Sequence, residues 1–217
     1  MDLSNKTIAF LGDSITEGSG ASHPDYQYVD VFSRITNSNV INYGISGTRF
    51  APQITPSAEP NFDKDFISRV PEMEKDVDIV VVFGGTNDFG HGDAPFGHLS
   101  DTEPKSFCGS CDYLMRILIE KYPSKPIVFI TPLHRLTEGH LINELGIARK
   151  SLAEYVSVIR KKAEKYSIPI LDLFATSGMQ PNIEAQNALY FADGLHPNDK
   201  GHEKLAEKIK AFLEMYI

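Results

Sequence analysis

Five short apolar runs, separated by longer segments of mixed character, limit most strongly what this chain can fold into. The runs cover residues 7–11, 40–43, 78–83, 126–131 and 168–173. The third run, DIVVVF, is apolar at every position after its first, which is typical of a strand covered on both faces. Strands of this kind that alternate with helices form parallel sheets. The sequence therefore predicts a three-layer α/β/α sandwich around a five-stranded parallel sheet.

Two segments carry apolar residues at helical spacing. In residues 141–165 the stripe consists of Leu141, Leu145, Ala148, Leu152, Tyr155 and Ile159. In residues 199–217 it consists of Leu205, Ile209, Phe212, Leu213 and Tyr216. The spacing predicts one helix over each segment, with the stripe facing the sheet.

Length and charge narrow the domain organisation and the partners. A chain of 217 residues without internal repeats or low-complexity tracts fits one domain spanning residues 1–217. Lys+Arg 21 against Asp+Glu 29 gives a net charge of -8. Because an acidic protein repels polyanions, nucleic acids and anionic membrane surfaces are not expected as partners. A small or neutral substrate is expected instead; oligomeric state leaves no sequence signal.

The N-terminus and the two cysteines carry no targeting or metal signal. MDLSNKTIAF lacks the basic segment and long apolar core of a signal peptide, and no run reaches transmembrane length, so a cytoplasmic location is expected. Cys108 and Cys111 form CGSC without a second cysteine pair for zinc. We interpret both as ordinary helix residues and expect no metal site.

Polar stretches follow several of the predicted strands. Irregular segments begin near residues 47 and 84, and GDSITEGSG follows the first strand. In doubly wound sheets, ligands bind beyond the carboxyl ends of the strands, so these stretches are candidates for a site.

GDSITEGSG is compatible with more than one local role. A P-loop needs a lysine near its end, where Glu17 follows Thr16, and the G-x-G-x-x-G pattern of a dinucleotide site is absent. Ser14 is also a favoured residue type for a helix N-cap, so capping alone remains open for this motif.

Four blocks in order give GDSITEGSG a chemical context. The others are NYGISG at 42–47, GGTND at 84–88 and DGLHPN at 193–198. With these blocks the chain resembles the SGNH hydrolases, also called the GDSL lipase/esterase family, over nearly its whole length. The resemblance implies a flavodoxin-like strand order, ester hydrolysis through a serine acyl-enzyme, and no metal or organic cofactor.

The resemblance and the chemistry together assign roles to five residues. A serine hydroxyl needs an adjacent base, so Ser14 is the expected nucleophile and His196 its base. Asp193 is expected to hold the other ring nitrogen of His196. By resemblance, the oxyanion is bound by the backbone N–H groups of Ser14 and Gly44 and by the side-chain amide of Asn87. Turn formation is the alternative role for Gly44 and Asn87.

Asp13 and the other polar residues near the blocks receive supporting or open roles. Asp13 is expected to support the serine loop, since Asp193 neighbours the base. Arg49, after the second block, is a candidate substrate contact, with an exposed ion pair as the alternative. His134 or Arg135, after the fourth strand, is another candidate, with a surface position as the alternative.

The remaining histidines are expected to have no role in catalysis. Those expected to be solvated are His23, His140 and His202. His91, Asp93 and His98 share one loop, which we interpret as a polar loop rather than a cation site.

The predicted activity is cleavage of carboxylic esters. The chain shows no lid-like apolar helix, which favours short acyl groups such as the acetyl esters of carbohydrates over long-chain lipids. Acyl transfer to an alcohol, lysophospholipase or thioesterase activity, and a non-catalytic ligand-binding module are the alternatives.

Overall fold

Five parallel strands form the centre of the structure, a computed structural model that describes residues 2–216. They are β1 (Thr7–Gly12), β2 (Asn39–Gly44), β3 (Ile79–Phe83), β4 (Ile127–Ile130) and β5 (Ile170–Leu171). Their order across the sheet is β2-β1-β3-β4-β5, and every pairing is parallel. This confirms the predicted sheet and its flavodoxin-like order.

Helices connect the strands and cover both faces of the sheet. They are α1 (Ser14–Glu17), α2 (Tyr28–Thr36), α3 (Phe66–Arg69), α4 (Thr86–His91), α5 (Phe107–Lys121), α6 (Leu152–Lys165), α7 (Leu173–Thr176), α8 (Glu184–Tyr190) and α9 (Asp199–Tyr216). Short 3-10 turns lie at Pro24–Tyr26, Pro60–Asp63 and Val70–Glu72. Among residues 2–216, no helix has the length and apolar character needed to cross a bilayer.

Side chains of β1 alternate between the two faces of the sheet and pack against the helices on each face. Ala9 and Leu11 are buried in one apolar cluster, which includes residues of α5 and α6. Ile8 and Phe10 point to the opposite face and are buried with residues of α2 and α9. Because successive side chains of a strand alternate between faces, one apolar run supplies both halves of the core.

The helix predicted over residues 141–165 begins only at Leu152, so the prediction is wrong for residues 141–151. Asn143 accepts hydrogen bonds from the backbone N–H groups of Leu145 and Ile147, and Gly146 has φ +76°. These turn features compete with a helix. Ser151 and Glu154 form a capping box that fixes the start of α6. Consequently Leu145 is 53% exposed instead of buried.

The last helix and the two cysteines lie where they were predicted. In α9, Leu205, Ile209 and Leu213 are buried, as predicted for the helical stripe, and Phe212 is partly buried. The prediction is wrong for Tyr216, which is 61% exposed in the last turn of the helix. Cys108 and Cys111 are buried residues of α5 and are not bonded to each other. Burial raises the pKa of the Cys108 thiol to about 11, so the thiol stays protonated and unreactive near neutral pH.

The strand order places three connecting loops at one edge of the sheet. From β1 the chain crosses to β2 on one side, returns to β3 on the other, and then continues to β4 and β5. The reversal lies between β1 and β3, where doubly wound sheets bind ligands beyond the carboxyl ends of the strands. The segments that follow β1, β2 and β3 carry the first three blocks of the sequence analysis.

Candidate active site

Ser14 lies at the first position of a very short helix directly after β1. Asp13 is the N-cap of α1, and its Oδ1 accepts the backbone N–H of Ile15 at 3.1 Å. Gly12 makes the tight strand-to-helix turn possible, because a Cβ there would lie 1.8 Å from Oγ1 of Thr16. The cap is therefore Asp13 rather than Ser14, and the serine hydroxyl is left for other contacts.

His196 is held by a compact loop before α9. An isolated antiparallel bridge joins Phe191 to Pro197, and the N–H of Ala192 donates to the carbonyl oxygen of His196 at 2.9 Å. Gly194 adopts φ +81°, a conformation that favours glycine. The loop therefore turns back on itself just before α9.

A continuous line of hydrogen bonds joins three of the predicted residues. Ser14 Oγ lies 3.0 Å from His196 Nε2, and His196 Nδ1 lies 2.7 Å from Asp193 Oδ2. The other oxygen of Asp193 accepts the N–H groups of Leu195 and His196. If Nδ1 donates its proton to the carboxylate, Nε2 is the acceptor that faces the serine hydroxyl.

Asp193 remains ionised in this arrangement. Partial burial acts to raise the pKa of Asp193, but the hydrogen bonds from the ring and backbone of His196 and from Leu195 outweigh it and lower the pKa below its usual value. A charged carboxylate beside Nδ1 fixes the ring orientation and stabilises a protonated imidazole.

The backbone N–H of Gly44 does not face Ser14 and His196, which corrects the prediction that it binds the oxyanion. That N–H donates to Asn42 Oδ1 at 2.8 Å. A Cβ on Gly44 would lie 2.2 Å from the backbone nitrogen of Glu17, so the glycine serves the close approach of β2 to α1.

Gly47, and not Gly44, is the glycine of NYGISG that lies beside Ser14 and His196. It lines one cavity of about 280 Å³ together with Ser14, Asn87 and His196. Among the hydrogen bonds of residues 2–216, none engages the Gly47 N–H. Asn87, in the first turn of α4, donates one amide hydrogen to the carbonyl oxygen of Thr48 at 3.0 Å and retains a second. NYGISG contains two glycines, and only the hydrogen bonding of the folded chain distinguishes them.

Arg49 is an internal ion-pair partner, which corrects its prediction as a substrate contact. The residue is 1% exposed, with Nη2 at 2.8 Å from Asp63 Oδ1 and 2.9 Å from the carbonyl oxygen of Phe62. Its Nη1 lies 3.0 Å from His91 Nδ1. Since a guanidinium only donates, Nδ1 of His91 is the acceptor in this pair.

His134 lies beside the cavity without lining it. Its Nδ1 is 2.7 Å from Glu138 Oε2, and its ring packs 4.0 Å from that of Phe174. The neighbouring Arg135 does line the cavity. Of the two alternatives in the sequence analysis, the fold thus brings Arg135 to the site.

Two buried carboxyl groups lie behind the site. Burial raises the pKa of Asp13 to about 7, although Ile15, His196 and Arg69 act in the opposite direction. Burial also raises the pKa of Asp88 to about 6, against hydrogen bonds that its carboxylate accepts from the backbone. Asp13 caps the serine helix, which agrees with its predicted supporting role.

His202 is fully buried, so the prediction that it is solvated is wrong. Its Nδ1 accepts the N–H of Tyr28 at 3.2 Å, and its Nε2 lies 3.1 Å from the carbonyl oxygen of Ser19. His23 and His140 are exposed, as predicted.

The carboxylate of Asp93, in the loop of residues 91–98, is engaged by backbone N–H groups of another segment. Asp93 accepts the N–H groups of Ile54 and Thr55 at 2.8 and 2.7 Å. Within residues 2–216 no cluster of three metal-ligating side chains occurs.

Comparisons with known proteins cover nearly the whole chain. The model of the GDSL-like lipase/acylhydrolase family matches residues 10–204. A solved structure from Lactobacillus plantarum is 31% identical, with 99% of each chain covered and a TM-score of 0.83. No match was found among curated proteins.

Two more distant solved structures share the fold. A lipase/acylhydrolase from Enterococcus faecalis is 21% identical, with 97% of this chain and 96% of that chain covered and a TM-score of 0.67. A carbohydrate acetylesterase family member from Sinorhizobium meliloti is 17% identical, with 97% and 98% covered and a TM-score of 0.67.

Proposed function

The chain belongs to the GDSL-like lipase/acylhydrolase family of ester-hydrolysing enzymes, and we propose that it cleaves short-chain carboxylic esters with Ser14, His196 and Asp193 as its catalytic triad. The observation that carries this proposal is the unbroken line of hydrogen bonds from Ser14 Oγ through His196 to Asp193, at 3.0 and 2.7 Å. Ser14 and His196 also line one cavity, where an ester carbonyl has access to the hydroxyl. Residues 1–217 form one hydrolase domain in this proposal.

The acylation step uses the ring of His196 as a proton carrier. As Ser14 Oγ attacks the ester carbonyl, Nε2 of His196 takes the hydroxyl proton. The tetrahedral intermediate then collapses, the bond to the alcohol oxygen breaks, and Nε2 returns the proton to that oxygen. The alcohol leaves, and the acyl group remains on Ser14.

The deacylation step repeats this sequence with water. Nε2 of His196 takes a proton from the attacking water and later returns it to Ser14 Oγ, which releases the carboxylic acid. Asp193 stabilises the imidazolium in both steps through its 2.7 Å hydrogen bond to Nδ1.

The negative oxygen of the intermediate needs preformed donors. We assign this role to the backbone N–H groups of Ser14 and Gly47 and to the second amide hydrogen of Asn87. Gly47 replaces Gly44 here because the Gly44 N–H is donated to Asn42. Loss of one such donor costs roughly 3 kcal/mol of transition-state stabilisation.

Acetyl and similar short acyl groups, including O-acetylated carbohydrates, are the proposed substrate class. A cavity of about 280 Å³ suits a small acyl group better than a long lipid chain. Ser19 and Ser46 add hydroxyl groups to its wall, which favours a polar substrate over a lipid.

The test compares wild type with Ser14→Ala on p-nitrophenyl esters from acetate to palmitate. Ser124→Ala is the matched control, since Ser124 is exposed and precedes β4 at the opposite edge of the sheet. Circular dichroism establishes that all three proteins are folded. We expect wild type and Ser124→Ala to cleave the short esters equally, and Ser14→Ala to lose more than about a thousandfold in kcat.

Other outcomes would redirect the proposal. Equal activity in wild type and Ser14→Ala would remove Ser14 as nucleophile. Preference for palmitate would move the substrate class to lipids. Ester exchange that dominates hydrolysis when alcohols compete with water would identify an acyltransferase.

A further inference from the structure

Arg135 is a nearly buried cation in the wall of the catalytic cavity. It is 5% exposed and lines the same cavity of about 280 Å³ as Ser14 and His196. Burial lowers the pKa of its guanidinium, but the group stays charged near neutral pH. A buried charge normally requires close, well-aligned partners.

The hydrogen bonds of Arg135 are long for a guanidinium that is almost fully buried. Nε donates to Thr137 Oγ1 at 3.1 Å, and Nη1 donates to the carbonyl oxygen and hydroxyl of Thr86 at 3.3 and 3.4 Å. The one carboxylate within reach of Nη2 among residues 2–216 belongs to Glu144, at 3.5 Å. Arg49, by comparison, holds Asp63 at 2.8 Å.

Glu144 is a replaceable partner. Its side chain is 64% exposed and belongs to the non-helical segment before α6. A 3.5 Å pair with an exposed carboxylate contributes little stability. Glu144 also lines the cavity, so its carboxylate lies where a ligand carboxylate would meet Nη2 of Arg135.

We propose that Arg135 binds a carboxylate carried by the substrate, so that the preferred esters are anionic, and that this carboxylate displaces Glu144 from Nη2. The inference rests on the proposed function, because it takes the scissile ester to lie at Ser14. Hydrogen bonds between a guanidinium and a carboxylate are stronger than those between neutral groups. Nη2 has two N–H donors, and the carboxylate that it reaches, that of Glu144, lies at 3.5 Å.

The rest of the protein carries negative charge and repels an anionic substrate. Binding of such a substrate therefore requires a cation in the cavity itself, and Arg135 provides one. The net charge is -8, and Glu144, Asp193 and Asp13 are the acidic groups that act on Arg135. Long-range attraction therefore does not bring an anion to the cavity. Recognition depends on direct contact with the guanidinium.

The substrate carboxylate belongs either to the acyl group or to the alcohol, and paired esters separate these cases. For the acyl side, 4-nitrophenyl hemisuccinate is compared with the uncharged 4-nitrophenyl butyrate. For the alcohol side, 4-acetoxybenzoate is compared with 4-acetoxybenzamide. The readout is the ratio of kcat/KM for the anionic ester to that for its neutral counterpart.

Two variants should move this ratio in opposite directions. Arg135→Gln should lower it at least about tenfold, because a hydrogen bond to a charged group is lost. Glu144→Gln should raise it, since the competing carboxylate is gone, and this exposed position leaves the core intact. Arg116→Gln and Glu120→Gln are matched controls, because they change the net charge equally at an exposed pair on α5.

A binding measurement keeps this inference separate from the hydrolytic proposal. Succinate and 4-hydroxybenzoate are titrated into Ser14→Ala, with and without Arg135→Gln, and chemical-shift changes report binding. Binding of either probe that disappears with Arg135→Gln supports the inference even if no tested ester is cleaved.

Three results would overturn the inference. One is active wild type with a ratio near one for both ester pairs. The second is a ratio that Arg135→Gln and Glu144→Gln leave unchanged. The third is probe binding that does not depend on Arg135. In each case cleavage of neutral esters that requires Ser14 would leave the proposed function standing.

Discussion

His202 Nε2 lies 3.1 Å from the carbonyl oxygen of Ser19, so a buried imidazole joins the segment after the proposed nucleophile to the helix after the proposed base. Because Nδ1 of His202 accepts the N–H of Tyr28, Nε2 is the nitrogen assigned the proton. A second link lies nearby, where Asp199 accepts the N–H and hydroxyl of Ser22. The distance between Ser14 and His196 therefore depends on α9 being docked.

Replacing His202 by Phe should loosen this connection without leaving a large void. Phe preserves an aromatic ring against Tyr28 but removes both hydrogen bonds, which leaves a buried N–H unpaired. We expect the free energy of unfolding to fall by about 1–3 kcal/mol and kcat to fall more than KM rises. Urea denaturation and steady-state kinetics measure the two effects. An unchanged kcat would restrict His202 to a purely structural role.

The same residue makes stability depend on pH. Burial lowers the pKa of His202 below 6.5, so the unfolded chain binds a proton that the folded chain excludes. The stabilisation is therefore complete above about pH 6.5 and is lost as pH falls toward the lowered pKa. The stability difference between wild type and His202→Phe should shrink between pH 7.5 and pH 5. A difference that stays constant over this range would contradict the assignment.

Asp13 should have the opposite pH dependence. Its pKa is raised to about 7, so the folded chain holds a proton that the unfolded chain releases above about 3.8. Stability from this group is present below about pH 3.8 and is lost as pH rises through 7. Asp13→Asn keeps an acceptor for the Ile15 N–H and does not titrate. As pH rises from 4 to 8, the free energy of unfolding of this variant should therefore increase by roughly 1–4 kcal/mol relative to that of wild type. Thermal unfolding at both pH values measures this gain, and its absence would refute the raised pKa.

Two asparagines provide a matched test of the oxyanion donors. Asn87→Ala should lower kcat on p-nitrophenyl acetate by about 10²–10³, with little change in KM, because in the proposed mechanism its amide donates to the charge that develops in the transition state. Asn42→Ala frees the Gly44 N–H and removes a hydrogen bond to the carbonyl oxygen of Thr16, so it should lower stability while kcat changes little. If Asn42→Ala lowers kcat as much as Asn87→Ala, the hydrogen bond from Asn42 to the carbonyl oxygen of Thr16 is needed to hold the serine helix in its catalytic position.

Asp193→Asn tests how the base is oriented. The amide can place an N–H opposite Nδ1 and so favour the wrong tautomer of His196, with little change in shape. We expect kcat to fall by roughly 10²–10⁴ while the melting temperature stays close to that of wild type. Activity within twofold of wild type would show that the 2.7 Å contact does not contribute to catalysis.

The sheet and the positions of the four blocks could be predicted because their signals are local. DIVVVF is apolar over five consecutive residues, and each of the first three blocks lies at or directly after the end of an apolar run. The topology then brings the carboxyl ends of β1, β2 and β3 to one edge without further information. The 3.0 Å approach of Ser14 to His196 follows from packing of α9 and has no local signal.

Some of the wrong predictions could have been avoided, because the sequence contains a local pattern that indicates the observed structure; others could not. His202 stands three residues before Leu205 and seven before Ile209, so it occupies the buried stripe of α9 by helical spacing. Ser151 and Glu154 have the capping-box spacing that marks the start of α6. By contrast, the burial of Arg49 against Asp63 and the choice between Gly44 and Gly47 depend on contacts between distant segments.

Ser14 and His196 are 182 positions apart in the chain, and this separation has a consequence for the protein during its synthesis. During synthesis the proposed nucleophile leaves the ribosome long before the proposed base, and without a base a serine hydroxyl is an ordinary, poorly reactive alcohol. The nascent chain is therefore harmless to cellular esters until α9 has been made and has docked. Proteolysis that removes α9 should likewise leave the serine unreactive, because the link through His202 that holds the segment of His196 against the serine loop is lost.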